Sequence, residues 1–304
     1  MILVTGATGT VGGHVVQLLR ERSVPFRAMS RRTTDLPNGV RADFTDPASL
    51  AAALTGVDAV FLVTAPPLPS AAHDVALVDA ARSLGVRKIV KLSAIGSGER
   101  SDGTIVGAWH VTAEDAIAAS GLAWTVLRPP SFASNFLQYR ALIGAGAPVP
   151  NGFGGARQPV VDPRDVAAVA VEALLEDVHD GRRYDVTGPE LLTFTDQTAI
   201  LARVLDRPVT SIDVNLSAQL AKAGLPAEAV TQIKIGAEWA SGGGAEYVTE
   251  HISDILGRPA RTFEQWSTDH RALFEQDAAT RTAAAAGPAA PHAHQRRPRP
   301  PRGR

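Results

Sequence analysis

The first residues of the chain constrain its fold more than any other segment. An apolar run over 2–4 is typical of a buried strand, and it leads directly into Gly6, Gly9 and Gly12. Valines and leucines at helical spacing follow over 11–22. Glycines at such a junction permit a tight turn and a close approach of helix and strand. The segment therefore predicts the strand–turn–helix unit that opens a parallel α/β sheet.

The same turn predicts a site for a dinucleotide. The N–H groups and the dipole at the start of a helix favour a pyrophosphate, and the second glycine lets the backbone approach it. A glycine-rich turn without a ligand is the alternative interpretation, but the strand before it and the helix after it favour a bound cofactor. The candidate cofactor-binding residues in this segment are Gly6, Thr8, Gly9, Thr10, Val11 and Gly12.

Length and composition fit one α/β domain with a smaller lobe. The chain has 304 residues, of which 45% are hydrophobic, and its lack of cysteine excludes disulfides and cysteine nucleophiles. No segment approaches the roughly 20 apolar residues of a membrane helix, and the first strand leaves no room for a leader. We therefore expect a cytoplasmic protein without a membrane partner. We expect no metal site, since His292 and His294 lie in a proline-rich coil.

The C-terminal residues differ from the rest of the chain in charge. Residues 278–304 contain six arginines and no acid, whereas residues 1–277 contain 24 basic and 31 acidic residues. The tail, rich in Ala, Pro and Arg, is predicted to be disordered. The acidic body argues against nucleic-acid binding by the folded part. A contact of the tail with nucleic acid or an acidic partner is the alternative to a solvated extension.

Strand-like and helix-like patterns alternate up to about residue 188. This alternation predicts a Rossmann-type doubly wound parallel sheet of about seven strands. Asp46 before Pro47 predicts the start of a helix, and Gly56, Gly85 and Gly121 predict helix ends. The predicted strands are 2–5, 26–30, 41–42, 59–64, 88–93, 123–128 and 183–187. The predicted helices are 11–22, 47–54, 73–84, 108–120, 133–143 and 163–176.

Beyond residue 188 the predicted helices no longer alternate with strands. We expect one domain over 1–277, in which 1–127 and 161–188 form the core sheet, while 128–160 and 189–277 form a small, mostly helical lobe. Ligands of open α/β sheets bind at the carboxyl ends of the strands, so this lobe is expected to shape a substrate pocket. Its predicted helices are 193–205, 217–222, 226–240 and 263–274.

The residues after the second strand indicate which dinucleotide is preferred. An NAD site carries an acid there for the ribose 2′-hydroxyl, but this chain has Arg31 and Arg32. A guanidinium pairs with a 2′-phosphate, so we expect NADP(H) to be preferred over NAD(H), unless these are merely solvated arginines. Asp43, placed at the end of the third predicted strand, is a candidate for the adenine amino group and equally a turn residue.

A set of short motifs over residues 1–275 carries a resemblance to a known family. These motifs are the glycine turn, Arg31, Asp43–Asp46, Lys91-Leu-Ser-Ala94, His110-x-x-x-Glu114, Ser120-Gly-Leu122, Leu127-Arg-Pro129, Phe132-x-x-Asn135-Phe136, Asp162-x-x-Asp165-Val-Ala167 and Tyr184-x-x-Thr187-Gly-Pro189. With them the chain resembles the NmrA-like family of atypical short-chain dehydrogenase/reductases, nearest to bacterial relatives of ergot-alkaloid-type reductases and of NAD(P)H quinone or azo reductases. The resemblance implies NAD(P)(H) binding and, in many members, hydride transfer.

This chain departs from the Tyr-x-x-x-Lys pair of ordinary short-chain dehydrogenases. Counting back from Ser120, the tyrosine position falls on Val106 and the lysine position on His110. An unperturbed histidine donates a proton near neutrality, so His110 is a candidate proton donor or ribose contact. Glu114, one turn further on, either orients the imidazole or forms a surface pair with it.

The remaining site candidates follow the carboxyl ends of predicted strands. Ser93 is either a hydroxyl near the nicotinamide or a strand-end cap. Further cofactor contacts are expected from Thr64, Ala65, Pro66 and Pro129. Substrate contacts are expected from Phe132, Asn135, Phe136 and Trp109, although packing within the lobe is the alternative for the phenylalanines.

These observations predict an NADPH-dependent reductase of a small, largely apolar, electron-poor substrate. A conjugated C=C, a C=N, a quinone or an azo group suits a site without the tyrosine acid. The alternative is a regulatory protein that binds NAD(P) as a redox sensor, without turnover, and acts through a protein partner.

Overall fold

Strands and helices alternate along the computed structural model, which describes residues 1–32, 36–64, 68–222 and 224–275. The strands are β1 (Ile2–Val4), β2 (Phe26–Ser30), β3 (Gly39–Arg41), β4 (Ala59–Leu62), β5 (Lys88–Leu92), β6 (Arg100–Ser101), β7 (Thr104–Ile105), β8 (Ala123–Arg128), β9 (Val149–Asn151), β10 (Gln158–Pro159), β11 (Arg182–Asp185), β12 (Leu191–Leu192) and β13 (Ser211–Asp213). The α-helices are α1 (Thr10–Glu21), α2 (Pro47–Leu54), α3 (Ala72–Ser83), α4 (Ala108–Ala119), α5 (Arg140–Gly144), α6 (Pro163–Leu175), α7 (Phe194–Leu205), α8 (Leu216–Lys222), α9 (Ala227–Trp239), α10 (His251–Leu256) and α11 (Phe263–Asp269).

Seven of these strands form one sheet in the order β11-β8-β5-β4-β1-β2-β3. Every pairing in it is parallel, and Leu3 of β1 lies opposite Arg27 of β2 and Val60 of β4. The strand order reverses beside β1, because the chain passes from β3 to β4 on the other side of it. Such a switch point opens a crevice at the carboxyl ends of the strands. The predicted Rossmann-type sheet is confirmed.

Helices cover both faces of the sheet. One apolar core packs α1, α6 and α10 against β1, β2 and β4, and a second lies under α2, α3 and α4. Strands buried on both faces explain the near-continuous apolar run of β4. The Asp46 cap before α2 is confirmed, since its carboxylate accepts from the N–H groups of Ala48 and Ser49. Gly56, Gly85 and Gly121 have positive φ after α2, α3 and α4.

The segments predicted to form the lobe contribute a third apolar core, which is aromatic. Phe136, Phe194, Phe263 and Trp266 pack together there and are buried. The lobe also contains two small sheets, β10–β12 and β9–β13, that the sequence patterns did not predict because each strand has only two or three residues. The helix predicted over 133–143 is a 3-10 helix (Ala133–Tyr139) followed by α5.

Several predicted boundaries are off by one to three residues. The third strand is Gly39–Arg41, not 41–42, so Asp43 lies in the loop after it rather than at its end. Within the described ranges, no helix is both long and apolar enough to cross a membrane. The predicted tail over 278–304 lies outside the described residues.

Candidate active site

The glycine turn forms a cradle between β1 and α1. Gly6 has a φ of +59°, and the N–H of Gly9 donates to the Gly6 carbonyl at 2.8 Å. A Cβ at Gly12 would lie 2.2 Å from the same carbonyl oxygen, so only glycine lets α1 come this close. Gly6 and Gly12 therefore each meet a steric demand of the turn.

Among the described residues, no side chain caps the first N–H groups of α1. Gly9 is the N-cap and has no side chain to occupy them, and the first turn contains no acid. Thr8, Gly9 and Thr10 are exposed, whereas Val11 and Gly12 are buried against the core. Uncapped N–H groups and the helix dipole suit a pyrophosphate, so the residues present fit a dinucleotide.

The loops after β2 and β3 bring Arg31 and Asp43 close together. Both Arg31 and Arg32 are exposed. The Asp43 carboxylate accepts from the N–H of Thr45 at 2.9 Å and from its hydroxyl at 2.7 Å. These hydrogen bonds lower the pKa of Asp43, and the charge of Arg31 adds to them. Asp43 thus stabilises a turn, and its Oδ2 atom has no recorded partner in the described structure.

Thr5 and Thr64 organise the carboxyl ends of β1 and β4. The Thr5 hydroxyl donates to the Val63 carbonyl at 2.9 Å and accepts from the Val63 N–H at 2.7 Å. Thr64 donates its hydroxyl proton to Asp74 of α3 at 2.7 Å. Ala65 and Pro66 lie outside the described residues.

Ser93 belongs to a buried polar cluster centred on Glu114. Its hydroxyl donates to Glu114 Oε1 at 2.5 Å, and Glu114, only 2% exposed, also accepts from Arg128 at 2.6 Å and Arg183 at 3.1 Å. Both interpretations that paired Glu114 with His110 are therefore wrong. The reason is tertiary: β8 and β11 place two guanidinium groups beside this carboxylate.

His110 lies in α4 with its Nδ1 atom buried and without a hydrogen-bond partner among the described residues. Burial lowers its pKa to about 3, and the positive charges of Lys91 and Arg128 add to that effect. The imidazole is therefore neutral near pH 7. The sequence showed neither this burial nor these cations, and the role of His110 as a proton donor or ribose contact stays a prediction.

The position of the usual tyrosine acid is filled by Val106, which is 5% exposed. Tyr247 of the lobe donates its hydroxyl proton to Asp185 Oδ2 at 2.9 Å. Burial and the Asp185 carboxylate raise the pKa of Tyr247 above its ordinary value. Tyr247 therefore keeps its proton near neutrality.

The predicted substrate residues have different surroundings. Phe132 is partly buried beside the sheet core, and Asn135 is exposed and donates to the Ser131 hydroxyl at 3.3 Å. Phe136 is 3% exposed in the lobe core, where it stacks on Phe194 and packs the lobe. The Trp109 ring lies 4.8 Å from the His110 ring. Pro129 is buried, and its carbonyl accepts from the N–H of Ile95 at 3.0 Å.

Sequence reasoning missed two features of the cleft. Lys91, 1% exposed, forms an ion pair with Asp74 at 2.7 Å, and a lysine inside an otherwise apolar strand was the available signal. The Trp239 ring packs against Gly96 and Gly244, where a Cβ would lie 2.6 Å and 2.3 Å from its atoms. The contact with Gly96 joins the end of α9 to the loop after β5, and no local pattern pairs those segments.

Comparisons with known proteins agree with this arrangement. A model of the NAD(P)H-binding family matches residues 6–177. A (4-alkanoyl-5-oxo-2,5-dihydrofuran-3-yl)methyl phosphate reductase from Streptomyces griseus subsp. griseus is 40% identical over 285 residues, which are 90% of this chain and 99% of that protein. An NAD(P)H azoreductase from Xenophilus azovorans is 35% identical over 290 residues, with the same two shares. The NADPH complex of an NADPH-dependent quinone oxidoreductase from Escherichia coli has a TM-score of 0.75 at 26% identity, covering 88% of this chain and 99% of its own.

The sheet and its glycine turn define a dinucleotide-binding α/β protein. The chain belongs to the NAD(P)H-binding family, and relatives that align with 90% of it are reductases, so it is an NAD(P)H-dependent oxidoreductase. The resemblance to NmrA-like atypical short-chain dehydrogenase/reductases is confirmed. These relatives give no support to the regulatory alternative.

Proposed function

We propose that this protein uses NADPH to reduce a small, conjugated, electron-poor acceptor, and that any proton the product needs comes from solvent. The observation that carries the proposal is the protonation pattern at the carboxyl edge of the sheet. Val106 replaces the tyrosine acid, the His110 imidazole is neutral, and the Ser93 proton is donated to Glu114.

The glycine turn and the N-terminus of α1 would hold the pyrophosphate, and bound NADPH would supply the hydride from its nicotinamide ring. Ser93, whose own proton is donated to Glu114, would accept a hydrogen bond from an N–H or O–H of the ligand. Trp109 and Phe132 would give the acceptor an apolar surface, which excludes water and aligns the reacting atoms.

The acceptor class follows from the missing acid. A simple ketone builds alkoxide charge as hydride arrives and needs a nearby donor to neutralise it. A quinone, an azo group or a conjugated enone spreads that charge over several atoms, so water suffices as the acid. Azo, quinone and furanone compounds are also the substrates named for its relatives, which supports this class.

The test is oxidation of NADPH by the purified protein with matched acceptors. We expect turnover with a quinone, an azo dye or an enone, and none with a saturated ketone of similar size. NADPH deuterated at C4 should slow turnover if hydride transfer is rate-limiting. Binding of NADPH with no turnover of any conjugated acceptor would contradict the proposal, and so would efficient reduction of the saturated ketone.

The preference for NADPH over NADH is assigned to Arg31. Its exposed guanidinium follows β2, where the 2′-phosphate of a bound cofactor would lie, and residues 29–32 contain no acid. A charge-assisted hydrogen bond contributes about 1.5–3 kcal/mol, so Arg31→Ala should reduce the NADPH/NADH affinity ratio about tenfold or more. Arg20→Ala, an exposed arginine at the far end of α1, is the control and should leave the ratio unchanged. An unchanged ratio in Arg31→Ala would contradict the assignment.

A further inference from the structure

A buried ion pair lies directly under the carboxyl edge of the sheet. The Lys91 ammonium of β5 is 2.7 Å from Asp74 Oδ1 of α3, and each side chain is 1% exposed. Lys91 also donates to the Leu92 carbonyl at 3.0 Å. Removing two charges from water is costly, and apolar replacements of such pairs are often neutral or stabilising. Stability of the fold is therefore a weak explanation for this ion pair. The position of the pair beside the candidate cofactor site suggests a functional explanation instead.

The ion pair continues to a residue of the candidate cofactor site. Asp74 Oδ2 accepts the hydroxyl proton of Thr64 at 2.7 Å, and Thr64 follows the last residue of β4 by two positions. Asp74 Oδ1 has no aligned hydrogen bond, so the charge of Lys91 is what holds that oxygen. Lys91, Asp74 and Thr64 thus link the ends of β5 and β4 through α3.

We propose that Lys91 is a positioning residue for the cofactor: through Asp74 its charge fixes the Thr64 hydroxyl at the carboxyl end of β4. The inference rests on the proposed use of NADPH. With its proton donated to Asp74, the Thr64 oxygen is left with lone pairs that can accept a hydrogen bond from the ligand. Without Lys91, the Asp74 carboxylate would lose its counter-charge and would no longer hold one orientation.

The same charge acts on His110, which provides an independent readout. The cations that lower the pKa of His110 are Lys91 from β5 and Arg128 from β8. The acids on the helices around it, Asp74 of α3 and Glu114 of α4, are paired with those cations. Loss of the Lys91 charge should therefore raise the pKa of His110, a change that a purely structural lysine elsewhere would not cause.

Lys88 provides a matched control on the same strand. It is 6% exposed, and its ammonium lies 2.9 Å from both Asp177 and Asp180. Lys88 precedes Lys91 by three positions in β5, so its side chain points to the opposite face of the sheet. It forms its ion pairs with Asp177 and Asp180 at the amino end of the strands. Lys88→Met should cost stability like Lys91→Met but should leave the cofactor site unchanged.

The experiment compares NADPH affinity and the NMR titration of His110 in the full chain. We expect Lys91→Met to raise the NADPH dissociation constant about threefold to tenfold, the worth of one hydrogen bond, and to raise the pKa of His110. The double variant Lys91→Met/Asp74→Leu removes both charges, so it leaves no unpaired buried charge that could prevent folding. Thr64→Val should weaken NADPH binding to a similar degree without moving the His110 titration.

The outcomes separate this inference from the proposed function. A folded Lys91→Met/Asp74→Leu protein that binds NADPH like wild type would overturn the role of Lys91, and so would wild-type affinity in Thr64→Val. The inference would also be overturned if Lys88→Met changed the NADPH dissociation constant and the pKa of His110 as much as Lys91→Met does. Wild-type protein that binds neither NADPH nor NADH would instead refute the proposed function, while the His110 titration would still test the link to Lys91.

Discussion

Replacing Gly12 by alanine should damage the cofactor turn, whereas the same change one residue later should not. An added Cβ at Gly12 would lie 2.2 Å from the Gly6 carbonyl oxygen and 2.7 Å from its carbon, and both are backbone atoms that cannot rotate away. At Gly13 the nearest atom is the Ala7 carbonyl oxygen at 3.7 Å, an ordinary contact.

The two substitutions should therefore change stability in opposite directions. Alanine is favoured over glycine inside a helix by about 1 kcal/mol, and this gain applies to both positions of α1. At Gly12, relief of the clash requires α1 to move away from β1, and such overpacking costs about 1–3 kcal/mol or more. We expect Gly12→Ala to lose about 1–2 kcal/mol net and Gly13→Ala to gain up to about 1 kcal/mol.

Chemical denaturation measures the free energy of unfolding, and fluorescence titration with NADPH measures the affinity of the turn for the cofactor. Gly12→Ala should bind NADPH at least about tenfold more weakly, because the displaced α1 no longer presents its N–H groups to the pyrophosphate. Gly13→Ala should bind like wild type. Equal stability and equal NADPH affinity of the two variants would refute the steric argument for the turn.

Three further predictions follow from the site. The pKa of His110 is about 3 in the folded protein and near 6.5 in the unfolded chain, so the unfolded chain binds the additional proton between these pH values. The free energy of unfolding should therefore fall by up to about 1.4 kcal/mol per pH unit as the pH drops from 6.5 toward 3. His110→Gln should weaken this pH dependence in urea denaturation relative to wild type. Glu114→Gln should cost about 1.5–3 kcal/mol in the same assay, because it leaves Arg128 without its carboxylate, and wild-type stability would contradict this. Gly96→Ala, with φ +75° and a Cβ 2.6 Å from the Trp239 ring, should cost about 1–3 kcal/mol, and the smaller side chain of Trp239→Leu should restore part of the loss. If Trp239→Leu restored none of it, the cost would come from the backbone alone.

Local patterns predicted the elements that form the candidate cofactor site. The glycine turn, the Asp46 cap and the alternation of strands and helices each depend on residues close in sequence, and all three are present. The short strands of the lobe escaped prediction because two or three residues carry no readable periodicity. The 3-10 segment before α5 escaped it because its apolar spacing also fits an α-helix.

Protonation was the property that local patterns predicted least well. His110 and Glu114 are one helical turn apart, and in an isolated helix they would interact. In the folded chain, the Glu114 carboxylate instead accepts hydrogen bonds from Ser93, Arg128 and Arg183, and the lowered pKa of His110 keeps its imidazole neutral. The partners that decide both outcomes come from β5, β8 and β11, which are far away along the chain.

The sequence by itself determined the strand–glycine–helix unit, the parallel sheet and the absence of the Tyr-x-x-x-Lys pair. Each of these depends on which residues are present and on spacings within a few positions. The tertiary structure alone decided which polar groups are buried, which charges face one another and therefore which protons are available. Burial and Coulomb interactions depend on distance in space, and residues from Thr64 to Arg183 meet at this edge only after the sheet has formed.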